Sequence, residues 1–167
     1  MAVDMFLKIE GIKGESVDDK HKDEIDVLSW SWGATNSGSV RGGGGGAGKV
    51  NIQDLSITKR YDKSSPQLFM RCATGQHIAK ATLSVRKSAS SAAGTPNTPD
   101  DPLVFTMTDV MVSSYQTGVT QGGEVPVDQV SFNFAKIEIA YRAQNPDGRL
   151  GDPVPACWDI GRNRGCD

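Results

Sequence analysis

The densest chemical signal in the sequence is Gly43 to Lys49, which fits the G-x-x-x-x-G-K opening of a phosphate-cradling loop. Gly43, Gly45 and Gly48 also satisfy G-x-G-x-x-G. Either motif works only where the loop leads into a helix whose first amides meet the phosphate. Here Val50 stands where a Ser or Thr would hold magnesium, and Asn51-Ile52-Gln53-Asp54-Leu55 alternates as a strand. A nucleotide site is therefore not expected. Glycine accepts either sign of φ and lets another backbone approach closely. A long glycine excursion between two strands also costs folding entropy. The run Val40, Arg41, Gly42, Gly43, Gly44, Gly45, Gly46, Ala47, Gly48, Lys49 is thus a candidate interface loop that a partner would order. A surface loop with no role is the alternative.

Other reactive side chains form no constellation. His21 lies in a run of charges with Asp18, Asp19, Lys20, Lys22 and Asp23 and reads as part of a solvated turn, and His77 follows a helix. Neither has a partner at metal-ligand spacing. No Ser sits in a G-x-S-x-G elbow and no Cys–His pairing stands out. Asp100-Asp101 falls in a loop read as flexible, where nothing would perturb either carboxyl. Cys72, Cys157 and Cys166 are too few for a disulfide framework and are expected as buried or unpaired thiols. Pairing of Cys157 with Cys166 after export is the lesser alternative. No catalytic residue, metal or cofactor is expected.

Leu28-Ser29-Trp30-Ser31-Trp32-Gly33 is more informative. On a strand, Trp30 and Trp32 share one face and Ser29 and Ser31 the other. Two large aromatics mark a core layer. The small hydroxyls leave a flat opposite face, either a contact surface or cavity wall, or an ordinary solvent face.

The elements that position these residues are nearly all strands. Period-two alternation marks strands near 5–9, 25–36, 50–61, 80–87, 103–115, 127–142 and 156–160. One helix is expected, starting at Ser64-Ser65-Pro66 and ending at Gly75, with Leu68, Phe69, Cys72 and Ala73 on one face. Four strands change phase midway. Val27 gives way to Leu28, Ile52 to Leu55, Met107 to Val110 and Phe134 to Ile137. A one-residue slip moves the apolar set to the other face unless a bulge or bend restores it. The expected fold is therefore mainly β, with strands that turn a corner between two packed sheets or close into a barrel. Residues 88–102 read as a flexible loop and 161–167 as a tail. No repeat or second domain is visible, so 1–167 is taken as one domain.

The composition sets limits on partners. Lys plus Arg is 18 and Asp plus Glu is 20, leaving a net charge of −2. That provides no global field for nucleic acid or an anionic membrane. Hydrophobic residues, at 37%, suffice for a core without membrane insertion. The first residues, Met1 to Ile9, lack a basic segment followed by an apolar one, so no cleaved export signal is expected.

In ordered sequence the chain resembles the Hcp (haemolysin-coregulated protein) family, the tube protein of bacterial type VI secretion. The resemblance is carried by Ala2 to Ile9, Gly14-Glu15-Ser16, Ile25 to Gly33, the glycine loop running into Lys49 to Lys59, Ser65-Pro66-Gln67-Leu68, Val130 to Ile137 and Trp158-Asp159-Ile160. The 88–102 loop and the tail Arg162 to Asp167 depart from it. The resemblance implies a compact β-barrel of two antiparallel-rich sheets with one flanking helix. It implies six-membered rings that stack into a hollow tube, driven out by a contractile sheath beneath a VgrG-type spike protein. Such a protein is assembled in the bacterial cytoplasm, then secreted to the extracellular space or a target cell. Family members hold effector proteins in the ring lumen, which makes Ser29 and Ser31 candidates for the lumen wall. The same resemblance makes residues 38–49 an inter-subunit or stacking loop. The alternative is a monomeric small-ligand-binding β-barrel, against which the bulk of Trp30, Trp32, Phe105, Phe132 and Phe134 argues.

Overall fold

The computed structural model describes residues 3–38, 48–87 and 101–166. Eleven strands and one helix follow in chain order: β1 (Val3–Ile9), β2 (Ile25–Asp26), β3 (Ser29–Ser31), β4 (Ala34–Asn36), β5 (Val50–Ile52), β6 (Leu55–Arg60), α1 (Ser65–Thr74), β7 (Ile78–Lys87), β8 (Leu103–Gly118), β9 (Val127–Tyr141), β10 (Val154–Asp159) and β11 (Arg164–Gly165). All pairings are antiparallel, as the mainly β expectation requires.

The hydrogen-bonded path closes on itself. β1 pairs β7, β7 pairs β8, β8 pairs β9, and β9 pairs β6. β6 then pairs β3, while β2, four residues upstream in the same segment, pairs β1. The residues between β2 and β3 complete the circuit: Val27 donates its N–H to Met5 O at 3.0 Å and Leu28 donates to Thr58 O at 2.7 Å. One segment thus stitches the first strand to the sixth, which leaves neither with an open edge there.

The phase changes have two physical forms. In the first and second, the strand stops and restarts. The segment expected as one strand over 25–36 is three short ones, and 50–61 divides at Gln53-Asp54. In the third and fourth, paired strands bend together. Met107 opposes Ile137 and Val110 opposes Phe134, with the register unbroken between them. Asp109, inside that interval, has φ of 54°, a conformation a short polar side chain tolerates. Inward-facing residues on both sides of the bend are buried, Met107 and Val110 fully. A register shift between Val112 and Ser114 bends β8 again. Beyond the corner β9 changes neighbour, pairing β10 through 136–141 and β6 through 127–132.

The interior is filled. Leu7, Ile25, Leu55, Leu83, Met107, Val110 and Phe132 have no exposed surface, and Trp30 and Trp32 meet Phe105 edge-on at 4.9 and 6.0 Å. Large inward side chains occupy the space that a ligand would need.

Helix α1 starts and stops as expected. Pro66 lies in its first turn, and Gly75, at φ of 69°, donates to Arg71 O at 3.0 Å. Ser64 makes no side-chain cap. The helix start is fixed from below instead, by fully buried Lys59, whose Nζ donates to Asp62 Oδ1 at 2.9 Å and Ser65 Oγ at 2.8 Å and pairs with Asp128 Oδ2 at 3.0 Å. Ser65 Oγ in turn donates to Asp128. Burial alone would raise the Asp128 carboxyl, but hydrogen bonds from Ser65, Thr117 and Lys59 and the Lys59 charge hold it below its ordinary range. The expected apolar face needs correction, because only Leu68 is buried. Phe69 is 53% exposed and Ala73 is exposed, since the helix crosses β8 with one narrow stripe.

Three further expectations are overturned. His21 is buried. Its ring stacks on Phe6 with centroids 4.4 Å apart, Nδ1 meets Glu24 at 3.0 Å, and Nε2 meets Asp101 Oδ1 at 3.2 Å. Asp101, read as part of a flexible loop, is 8% exposed because it meets this imidazole, while Asp100 lies outside the described residues. Cys157 and Cys166 form a disulfide across a sequence separation of 9, because the turn after β10 returns the tail onto its own strand.

Candidate functional site

Ser29 and Ser31 are exposed on β3, and Trp30 between them packs against the core. The strand pairings extend these two serines into two rows. Ser31 opposes Ser56 on β6, Ser56 opposes Ser131 on β9, and Ser131 opposes Ser114 on β8. One step along, Ser29 opposes Thr58, Thr58 opposes Gln129, and Gln129 opposes Gln116. Alternation sends Ile57, Val130 and Phe132 into the core from the same strands. The outer face of β3, β6, β9 and β8 thus presents hydroxyls and amides, with no charged side chain in either row.

This face holds a shallow depression of about 290 Å³, lined by Ser29, Ser31 and the other row residues. Ser56 Oγ and Ser131 Oγ lie 3.0 Å apart across its floor. At one margin, Asp54 accepts from Ser113 Oγ at 2.6 Å and Asn133 Nδ2 at 3.0 Å. Those bonds hold the Asp54 carboxylate to its own edge of the face. Neutral hydroxyls and amides donate and accept with either polarity, so the surface suits backbone and polar side chains without selecting for charge. It holds no nucleophile–base pair.

Ser56, Thr58, Ser114, Gln116, Gln129 and Ser131, which sequence reasoning left unnamed, thus join Ser29 and Ser31 as candidates. Their signal was present in the alternation of Ser56 and Thr58 with Leu55 and Ile57, and of Gln129 and Ser131 with Val130 and Phe132. Their alignment into rows depends on pairings between distant segments.

The second feature is a ribbon. Among the described residues, β4 and β5 pair with each other and with no other strand, Ala34 opposing Ile52 and Asn36 opposing Val50. All of β4 is exposed. Asn36 clasps the ribbon end, donating from Nδ2 to Gly48 O at 3.0 Å and accepting from Gly38 N at 2.7 Å. The two strands of the ribbon flank the glycine run in sequence. Of the loop candidates, Gly48 and Lys49 are described, whereas Val40, Arg41, Gly42, Gly43, Gly44, Gly45, Gly46 and Ala47 lie outside the described residues. A Cβ at Gly48 would overlap the backbone of Ser37 and Gly38, so the close approach of the ribbon's two arms requires glycine there.

No helix among the described residues is long and apolar enough to cross a membrane. Among the described residues, no cluster of His, Cys, Asp and Glu could hold a metal ion.

Residues 6–141 match the family model described as "Type VI secretion system effector, Hcp". Protein hcp1 of Pseudomonas aeruginosa is 49% identical over 165 residues, covering 98% of each chain. Hcp1 from Salmonella typhimurium superposes with a TM-score of 0.81 at 35% identity, over 99% of this chain and all of that one. A type VI secretion system effector from Yersinia pestis superposes with a TM-score of 0.74 at 28% identity, over 94% of this chain and all of that one. The closed antiparallel barrel with one helix, the ordered motifs and these likenesses agree: the chain belongs to the Hcp family of type VI secretion proteins.

Proposed function

We propose that this protein is the ring-forming subunit of a type VI secretion tube: six copies close head to tail, rings stack, and the lumen carries effector proteins. What supports this most is the uncharged face of two rows, Ser31-Ser56-Ser131-Ser114 and Ser29-Thr58-Gln129-Gln116. Turned toward the ring axis in every copy, it gives a wall that hydrogen-bonds to many partners. Without fixed charge, that wall neither traps nor repels them by sign. A head-to-tail interface with the correct rotation closes without any further component.

Stacking falls to the ribbon. An isolated two-stranded ribbon is marginal in water and exposes unpaired edges. β4–β5 and its glycine loop gain a second surface when a neighbouring subunit covers them. The mechanism is geometric, with the work done by assembly and cargo contact rather than catalysis. The whole chain, 1–167, acts as one domain. The spike protein and contractile sheath are its further partners, and it is assembled in the cytoplasm before release.

The monomeric ligand barrel is the weaker reading, because Phe105, Phe132 and Phe134 fill the interior. The test is retention of a co-expressed effector by Ser31→Gln, which places a longer side chain at the head of the serine row. Rings should persist while effector is lost. Retention equal to wild type would contradict the lumen assignment.

A further inference from the structure

The tail of the chain folds back on the outer edge of the barrel. Trp158 opposes Gly165 and Asp159 opposes Arg164, so β11 adds two residues to the free edge of β10. The return turn is held by Arg162 N to Asp159 Oδ1 at 3.0 Å and Asn163 N to Ile160 O at 3.2 Å. Trp158 packs against the core, which sends Cys157 to the opposite face. There it is joined to Cys166, whose own N–H donates to Cys157 O at 3.2 Å. Besides this bond, β11 is held to β10 through the register pairs Trp158–Gly165 and Asp159–Arg164. Cys72, the remaining cysteine, is separate and free.

We infer that Cys157 and Cys166 form a compartment-set latch, open as the dithiol in the cytoplasm and closed as the disulfide after release, which pins the tail over the edge of β10. The inference rests on the secretion reading above. Bacterial cytoplasm keeps thiols reduced, whereas the extracellular medium allows disulfides to persist. Closure needs an oxidant, here a low-molecular-weight disulfide. One protein thiolate attacks it, forming a mixed disulfide and releasing one small thiol. The second protein thiolate then displaces the other. Two protein thiols are oxidised and one small disulfide is reduced to two thiols, so electrons and protons balance.

The consequence is mechanical. With the latch open, a strand of two residues frays readily, and β10 offers backbone groups at Trp158 and Asp159 to another strand. With the latch closed, that edge is occupied. Cys157 and Cys166 are both half-buried residues, so exchange does not require the barrel to open.

The experiment compares full-length protein from the cytoplasm and from the medium of the same culture, acid-quenched, denatured and alkylated with N-ethylmaleimide before mass measurement. With three cysteines in the chain, the cytoplasmic pool should take three labels and the secreted pool only one, at Cys72. Three labels in the secreted pool, or one in the cytoplasmic pool, would overturn the latch. Protein absent from the medium would overturn the export reading and, with it, the compartment assignment. Purified reduced protein titrated with oxidised glutathione keeps the thiol chemistry separate. It should lose two labels and gain exchange protection at the Cys166 amide, and Cys157→Ser should gain none. Failure to lose labels, or equal protection in the variant, would overturn the latch.

Discussion

His21 Nε2 lies 3.2 Å from Asp101 Oδ1, joining two residues 80 positions apart in a buried contact. The imidazole also meets Glu24 and stacks on Phe6, whose ring carries the Arg86 guanidinium 5.1 Å from its centroid. Arg86 in turn pairs with Asp18. The cluster pins the 18–24 turn and the end of the 88–102 segment to β1 and β7.

Burial alone would disfavour charge on His21, but Asp101 and Glu24 overcome it and raise the imidazole from 6.5 to about 9. A group held more basic in the folded state stabilises fully below its unfolded value and loses that contribution as pH rises through its folded value. Stability should therefore fall between about pH 6.5 and 9 as this contribution is lost. His21→Gln should flatten that slope and cost roughly 1–3 kcal/mol at neutral pH, read by urea denaturation across the range. An unchanged slope in the variant would assign the pH dependence elsewhere.

Lys59 and Asp128 are both fully buried, 3.0 Å apart. Lys59→Met should destabilise by about 3–5 kcal/mol, because Asp128 is left charged without its partner. Adding Asp128→Leu should recover part of the loss. Denaturation midpoints of the single and double variants measure this, and equal losses in both would contradict the paired-charge account.

Gly14 N donates to Asp23 O at 2.8 Å, and a Cβ on Gly14 would overlap the Glu24 and Ile25 backbone. Gly14→Ala should cost about 1–3 kcal/mol by forcing the two segments apart. A thermal midpoint equal to wild type would show that the segments give way freely.

The ribbon prediction separates folding from assembly. Deleting part of Gly42 to Gly46 should leave the thermal midpoint unchanged while shortening stacked tubes in electron micrographs. Tubes of wild-type length would remove the loop from the stacking interface.

Local alternation was enough to read the long strands and the corner of the fold, because Met107, Val110, Phe134 and Ile137 report which face is buried without reference to any partner. The same pattern placed Ser29 and Ser31 opposite the tryptophans. It could not align Ser31 with Ser56, Ser131 and Ser114, since register between distant strands is a tertiary property. His21 looked like part of a solvated turn because its partner Asp101 is remote in sequence, and charged neighbours mask a buried imidazole. Phe69 misled for the opposite reason: helical spacing gives an apolar stripe, but not how much of it the underlying sheet covers. The Cys157–Cys166 bond depends on a turn around Asn163 at φ of 52°, which spacing alone does not indicate.

In the proposed assembly, identical barrels close into rings whose inner wall is the uncharged serine-rich face. Electron microscopy of the purified full-length protein at micromolar concentration tests it most directly, combined with light scattering on the same sample. Six-fold rings with an open central hole are expected. A monodisperse monomer at that concentration would contradict it.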